Sequence, residues 1–453
     1  MLICKARFRA SWENELTLEH FQAKWTPVRV KKMRENKNLE PRFDSIKSGK
    51  ALVANPRKLP SAVIMAAGCL IALISFGPRS VMGAFQLPIF ASRDWGAGHF
   101  ALALALQNLL WGLGQPFAGA LADRHGARPV LIFGGLFYAL GLAAMGSAPS
   151  GPTFDLSAGL LIGLGLSGAS FNLVLGAFAK LLPPRRLSYA FGAATAAGSF
   201  GQFLFSPLAS GLIAGQGWEK TCLLFAVVTL LIVPLAWALT TPPGDFSKGE
   251  GQGATFRRAL GHRSYVLLAT GFFTCGFQLA FITVHFQRYV VESGVSAQIG
   301  AWAFALVGIF NIFGSLLAGY LGGFLPRPYI LAFIYLARAI ATAIFIALPA
   351  TSDSTLIFAA VTGLLWLSTV PPTSAVISQM FGPGNLSMLY GFAFFLHQLG
   401  GFFGVLLGGW ARAATGSYLP VWILSIALGV ISALLNLPVV EREVERPAPQ
   451  PAE

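Results

Sequence analysis

From about residue 60 onward the chain is a succession of apolar windows, each close to 20 residues long, divided by short stretches rich in charge, Pro or Gly. About 20 such residues cross a hydrocarbon core of roughly 30 Å as a helix, so each window predicts a transmembrane helix. There are twelve, in two groups of six: about 62–88, 99–121, 130–148, 156–180, 189–214 and 220–240, then about 264–287, 299–321, 329–350, 355–380, 389–411 and 420–440. Between the groups, TPPGDFSKGEGQGATFRRALGHRS is polar, Gly-rich and basic, and reads as a linker. The organisation expected is a basic tail over 1–60, a first half over 61–241, a linker over 242–263, a second half over 264–440 and a tail over 441–453.

Composition agrees with a chain whose main solvent is lipid. Hydrophobic residues make up 55% and charged residues 11%, against roughly 25% charged in soluble domains. The first apolar run is too long for a cleaved signal and reads as its own insertion signal. The formal net charge is +14, but residues 1–60 hold fourteen Lys or Arg against six Asp or Glu. Such a segment before a first membrane helix reads as an anchor at an anionic lipid surface, not a nucleic-acid arm. The turns on the same side as the tail and linker carry Arg124, Arg128, Arg185, Arg186, Arg257, Arg258 and Arg327, which predicts a multi-pass protein of the cell (inner) membrane with both termini cytoplasmic. Cys4, Cys69, Cys222 and Cys275 have neither metal-ligand nor redox spacing, and no metal, cofactor or catalytic motif is expected.

The two halves repeat each other. GALADRHGARP from Gly119 and GYLGGFLPRP from Gly319 lie 200 residues apart, and Gly192 and Gly201 align with Gly391 and Gly400 at an offset of 199. Duplicated halves are a common transporter architecture.

Ionisable groups inside a bilayer are costly and mark function by default. Here they are Arg79, His285, Arg338 and His397, with no carboxylate at the centre of any predicted span. An exchanger of cationic compounds needs such a carboxylate; an Arg without one is a counter-ion for an organic anion, its fork matching a carboxylate. Gly77 and Pro78 predict a bend beside Arg79 that lets water or ligand reach it. His397 and His285 are candidates for carrying a coupled proton. Gln107, Asn172, Gln202 and Asn311 are neutral candidates for orienting the substrate, while Arg338 reads as paired with backbone carbonyls or a neighbouring helix.

The turn GALADRHGARP resembles the signature loop of the major facilitator superfamily, matched by Gly119, Leu121, Ala122, Asp123, Arg124, Gly126 and Arg128, with Ala127 the deviation. The resemblance implies an all-α membrane protein of twelve helices in two pseudo-symmetric halves, and a gating role for Gly119, Asp123, Arg124, Gly126 and Arg128. In the second copy Gly323 and Phe324 stand where the Asp and Arg would be. GPRSVMGAF is similar to the first helix of the monocarboxylate transporters, with Arg79 in place of a Lys, and LYGFAFFLHQLG is similar to the eleventh helix of oxalate/formate antiporters, with His397 in place of a Lys. Ser315 replaces the Arg that helix eight carries in both groups, and Asn311 the Asp of the monocarboxylate group. The expected function is alternating-access transport of a small organic anion, a monocarboxylate, as a proton-coupled monomer. The alternatives are a broad-specificity efflux carrier and a non-transporting sensor on the same fold.

Overall fold

The computed structural model describes residues 59–94, 96–244 and 251–444; all but the last two residues of the expected tail over 1–60 and most of the one over 441–453 lie outside them. Among the described residues every regular element is helical. The first half comprises α1 (Ser61–Ser80), extended by short turns to Ser92, α2 (Gly96–His125) and α3 (Ala127–Gly146). Its fourth rod starts at Gly151, passes through a π-helical stretch, Asp155–Leu161, and is split into α4 (Ile162–Ala169) and α5 (Phe171–Leu181). α6 (Pro184–Gln216) and α7 (Trp218–Leu230), extended to Leu239, complete this half. After α8 (Gln252–Gly261) the second half repeats the plan with α9 (Arg263–Glu292), α10 (Ala297–Leu321) and α11 (Arg327–Ala347). Its fourth rod is likewise split, into α12 (Ser352–Leu365) and α13 (Val370–Phe381), and α14 (Leu386–Thr415) and α15 (Leu419–Asn436) follow.

Ten of the twelve rods are long and apolar enough to cross a membrane by themselves. The other two, α2 and α6, carry amides and the glycines Gly119 and Gly192 whose backbones meet the opposite half: they trade hydropathy for close helix–helix approach.

The sequence repeat becomes a spatial one. α2 runs antiparallel to α14, and a methyl group on Gly119 would overlap the Ser387 carbonyl. On the pseudo-equivalent seam between the halves, α10 meets α6 the same way, with Gly319 against the Ser188 carbonyl and the backbone of Gly192. Only hydrogen-sized side chains permit backbone contact of this kind. Both sets of contacts lie at the end of the molecule that carries Asp123, called here the motif face. At the opposite face the ion pairs Arg93–Glu219 at 3.7 Å, His99–Asp155 at 2.6 Å, Arg288–Glu292 at 2.7 Å and Arg412–Glu292 at 2.9 Å each stay within one half. The halves are joined at the motif face.

Two expectations change. Gly77 and Pro78 do not interrupt the helix: α1 runs through both residues to Ser80, and helical geometry alters at Val81. Gly77 is buried and accommodates the ring of Phe205 from α6. The linker is not a plain loop, because α8 forms within it and packs on the halves through buried Thr255 and Ala259. Its sequence, QGATFRRALG, places those two residues and Phe256 on one face.

Candidate functional site

The signature turn builds a clamp. Gly126, at φ 93°, makes a corner that an L side chain would strain, and Ala127 N–H donates to Thr241 Oγ1 at 2.8 Å. One turn earlier, Asp123 projects from the end of α2 on the same face as Gly119, three to four residues being one turn. It is fully buried. Its Oδ2 accepts the N–H of Met388 at 2.8 Å, in the first turn of α14, and its Oδ1 lies 2.9 Å from Lys180 Nζ on α5. A carboxylate at the positive end of a helix that also needs N–H acceptors is stabilised twice over. One side chain thus fastens α2, α5 and α14. Arg124 is exposed, and Arg128 lies over the Trp237 ring at 3.2 Å. In the second copy, which has Gly323 in place of the Asp, the closure is weaker: the Ser188 hydroxyl donates to Gly322 O at 3.1 Å.

Farther from the motif face the α2–α14 seam becomes aromatic. Gly391 abuts Gln115, and one turn on, the rings of Trp111 and Phe394 are 5.0 Å apart. Phe171 from α5 approaches Phe394 at 6.1 Å. These rings form a layer across the join. One further turn away from the motif face stand Asn108 on α2 and His397 on α14. Asn108 is exposed there, and its Oδ1 accepts from Arg79 Nη2 at 2.5 Å. His397 stacks on Phe394 at 5.5 Å and on Phe272 at 4.9 Å, with Nδ1 3.3 Å from Gln398 Oε1. Arg79 is held within the first half and His397 packs within the second, and among the described residues no hydrogen bond joins them. No carboxylate pairs with Arg79 among the described residues, and its buried Nε has no hydrogen-bond partner there.

The other candidates divide. Asn311 of α10 is a hub: its Nδ2 donates to Ser199 Oγ of the first half at 2.6 Å, and its Oδ1 accepts Leu367 N–H at 2.9 Å. Gln202 lies half-buried one turn from Ser199. Gln107 donates from Nε2 to Ala158 O, inside the π-helical stretch, at 2.9 Å. Asn172 is buried, and neither Nδ2 nor Oδ1 has a hydrogen-bond partner. His285 donates from Nε2 to Val405 O at 3.0 Å and packs on Tyr418, which keeps it within the second half. Arg338 bonds the Leu365 and Trp366 carbonyls at the end of α12, with Nε–Leu365 O at 3.0 Å. It covers the negative end of a broken helix.

Sequence reasoning missed the two helix breaks. They fall before Phe171 and Val370, separated by the same 199 residues as the glycine repeat. A small cavity between the halves touches both, at Phe171 and Leu367, and is completed by Phe76, Thr195 and Ser199. The signals were Ser170 and the run Ser368–Thr369, hydroxyl residues that compete with helix hydrogen bonding.

The family model described as Major Facilitator Superfamily matches residues 67–368 and again 266–453. The chain is 26% identical over 386 residues to monocarboxylate transporter 13 of Rattus norvegicus, covering 83% of this chain and 88% of that one. It is 25% identical to an uncharacterized MFS-type transporter of Bacillus subtilis (strain 168), covering 81% and 92%. Among solved structures, the Escherichia coli fucose:proton symporter superposes with a TM-score of 0.67 at 16% identity, over 83% of this chain and 97% of that one.

Proposed function

Because the chain belongs to the Major Facilitator Superfamily, whose members are carriers and not enzymes, we propose that it moves a small organic anion, a monocarboxylate, across the cell membrane by alternating access, in symport with a proton. The observation that carries this reading is Arg79: a guanidinium in a membrane-spanning helix held by a neutral amide, with no carboxylate partner among the described residues. Placing a charge there is expensive, and an anionic substrate offsets that expense each time it binds. His397, one turn outside the aromatic layer on the facing helix, supplies a titratable group for the coupled proton. Asn311 and Gln202, beside the cavity, orient the remainder of the substrate.

The basic turns put the motif face, the linker and both termini in the cytoplasm. Asp123 then holds the cytoplasmic side shut while Arg79 is open to the other side, and substrate neutralising Arg79 favours closure around the loaded site. The names of the relatives support both parts of the reading, one a monocarboxylate transporter and one a proton symporter.

Arg79→Gln in proteoliposomes tests it. Charged hydrogen bonds contribute about 1.5–3 kcal/mol, so anion uptake should fall roughly 10- to 100-fold. Retained export of neutral or cationic compounds, with no anion transport in the wild type, would favour the efflux alternative instead.

A further inference from the structure

The second half encloses a cavity of its own between α9, α11 and α12, lined by Arg338 together with Gln278, Thr342, Thr362 and Trp366. Gln278 and Arg338 stand midway along their rods, so the cavity lies deep in the span. It has room for about one water, too little for a carboxylic acid, and is therefore no station for the transported substrate.

Arg338 is 5% exposed, and its hydrogen-bond partners are all neutral: the Leu365 and Trp366 carbonyls and Gln278 Oε1. No carboxylate pairs with it among the described residues. The C-terminal end of a helix carries roughly half an elementary charge, so the end of α12 offsets only part of the guanidinium's charge, where an unneutralised one is costly. The donors are not exhausted either. Nε and Nη2 are engaged by the carbonyls, but Nη1, with two N–H groups, reaches only Gln278 Oε1, at 3.4 Å, beyond the usual length of such a bond.

Two hydroxyls line the same space. Threonines inside helices of this protein return the hydroxyl to a carbonyl four residues earlier, as Thr195 does to Phe191 O at 2.8 Å and Thr229 to Phe225 O at 2.7 Å. Thr342 and Thr362, 4% and 6% exposed, make no side-chain hydrogen bond among the described residues. Thr342 follows Arg338 by one turn and shares its face. Buried polar groups are nearly always bonded, and free donors around one small space, one of them charged, call for an acceptor that carries negative charge.

We propose that this cavity binds a small monatomic anion, chloride, through Arg338 and the hydroxyls of Thr342 and Thr362. A water would satisfy the hydroxyls and leave the charge; the anion answers both. By neutralising Arg338 it steadies the carbonyl end of α12 beside the helix break, so the second half is most stable with halide present.

The purified full chain tests this with bromide, which replaces chloride and quenches indole fluorescence on contact; Trp366, in the cavity wall, is the reporter. At constant ionic strength against gluconate, the wild type should lose fluorescence saturably, with chloride reversing the loss and Trp366→Phe lacking it. Thr342→Val combined with Thr362→Val keeps the shape and removes both hydroxyls, so the half-saturating bromide concentration should rise at least about tenfold. Thermal unfolding gives a reading that needs no substitution: chloride should raise the wild-type midpoint saturably over gluconate, and sulfate, too large for the cavity, should not. Quenching that grows linearly with bromide in the wild type and in Trp366→Phe alike would overturn the site and leave a buried water in its place. So would a midpoint indifferent to halide, or an unchanged half-saturation in the double valine variant.

Discussion

Arg79 and Asp123 are opposite charges in opposite circumstances. Asp123 is fully buried against Lys180 at 2.9 Å and the N–H of Met388 at 2.8 Å, and removing one member of a buried pair costs about 3–5 kcal/mol. Asp123→Ala should therefore depopulate the state closed at the motif face. A cysteine placed at Ser387 on a cysteine-free background would report this, becoming labelled by a maleimide many-fold faster than with Asp123 present; unchanged labelling would exclude the clamp. Arg79 makes one hydrogen bond, to an exposed Asn108. Arg79→Lys keeps the charge but loses the planar fork, so it should retain transport with weaker binding, whereas Arg79→Gln loses both. The charges themselves were legible in the sequence because charge is so rare in a span. Their partners were not: Asn108 is 29 residues from Arg79 and Met388 is 265 from Asp123, and such distances close only in three dimensions. Asn172 is the mirror case, unremarkable as an amide among several until its surroundings leave it without a bond.

At the scale of elements, hydrophobic periodicity located nearly all the rods, since length and apolarity are what a bilayer selects. It could not locate the interruptions within them. The breaks before Phe171 and Val370 depend on neighbours: Gln115 from α2 inserts into one, Arg338 from α11 and Asn311 from α10 into the other. α8 was hidden for a related reason, its low overall hydropathy concealing one apolar face. That helix spans the join, with Gln252 Nε2 donating to Ala120 O of α2 at 2.7 Å and Phe256 packed 5.1 Å from Phe392 of α14. Phe256→Ala should loosen this strap by about 3–5 kcal/mol at most, as for a buried aromatic, and less here because the ring is only partly buried. The same Ser387 cysteine should then label faster, by a smaller factor than with Asp123→Ala. Gly119→Val and Gly319→Val probe the seams themselves. Each puts side-chain atoms into a facing carbonyl, at Ser387 or Ser188, so each should trap the carrier open at the motif face and abolish turnover while the protein still inserts and folds.

For the whole molecule the repeat explains the shape of the cycle. Contacts between Gly119 and Ser387 and between Gly319 and Ser188 are pseudo-equivalent, yet only the first carries a buried ion pair, so the motif-face closure has one strong and one weak latch. On the proposed reading, two halves hinged this way alternate the exposure of a site between them, with Arg79 giving that site its charge and His397 its titratable group. The most direct test of that claim is uptake of labelled C1 to C6 monocarboxylates by proteoliposomes holding the purified carrier, with and without an imposed pH gradient. Saturable uptake of at least one acid, accelerated by an inward proton gradient and lost in Arg79→Gln, is the result expected; failure of every acid to move under either condition would contradict it.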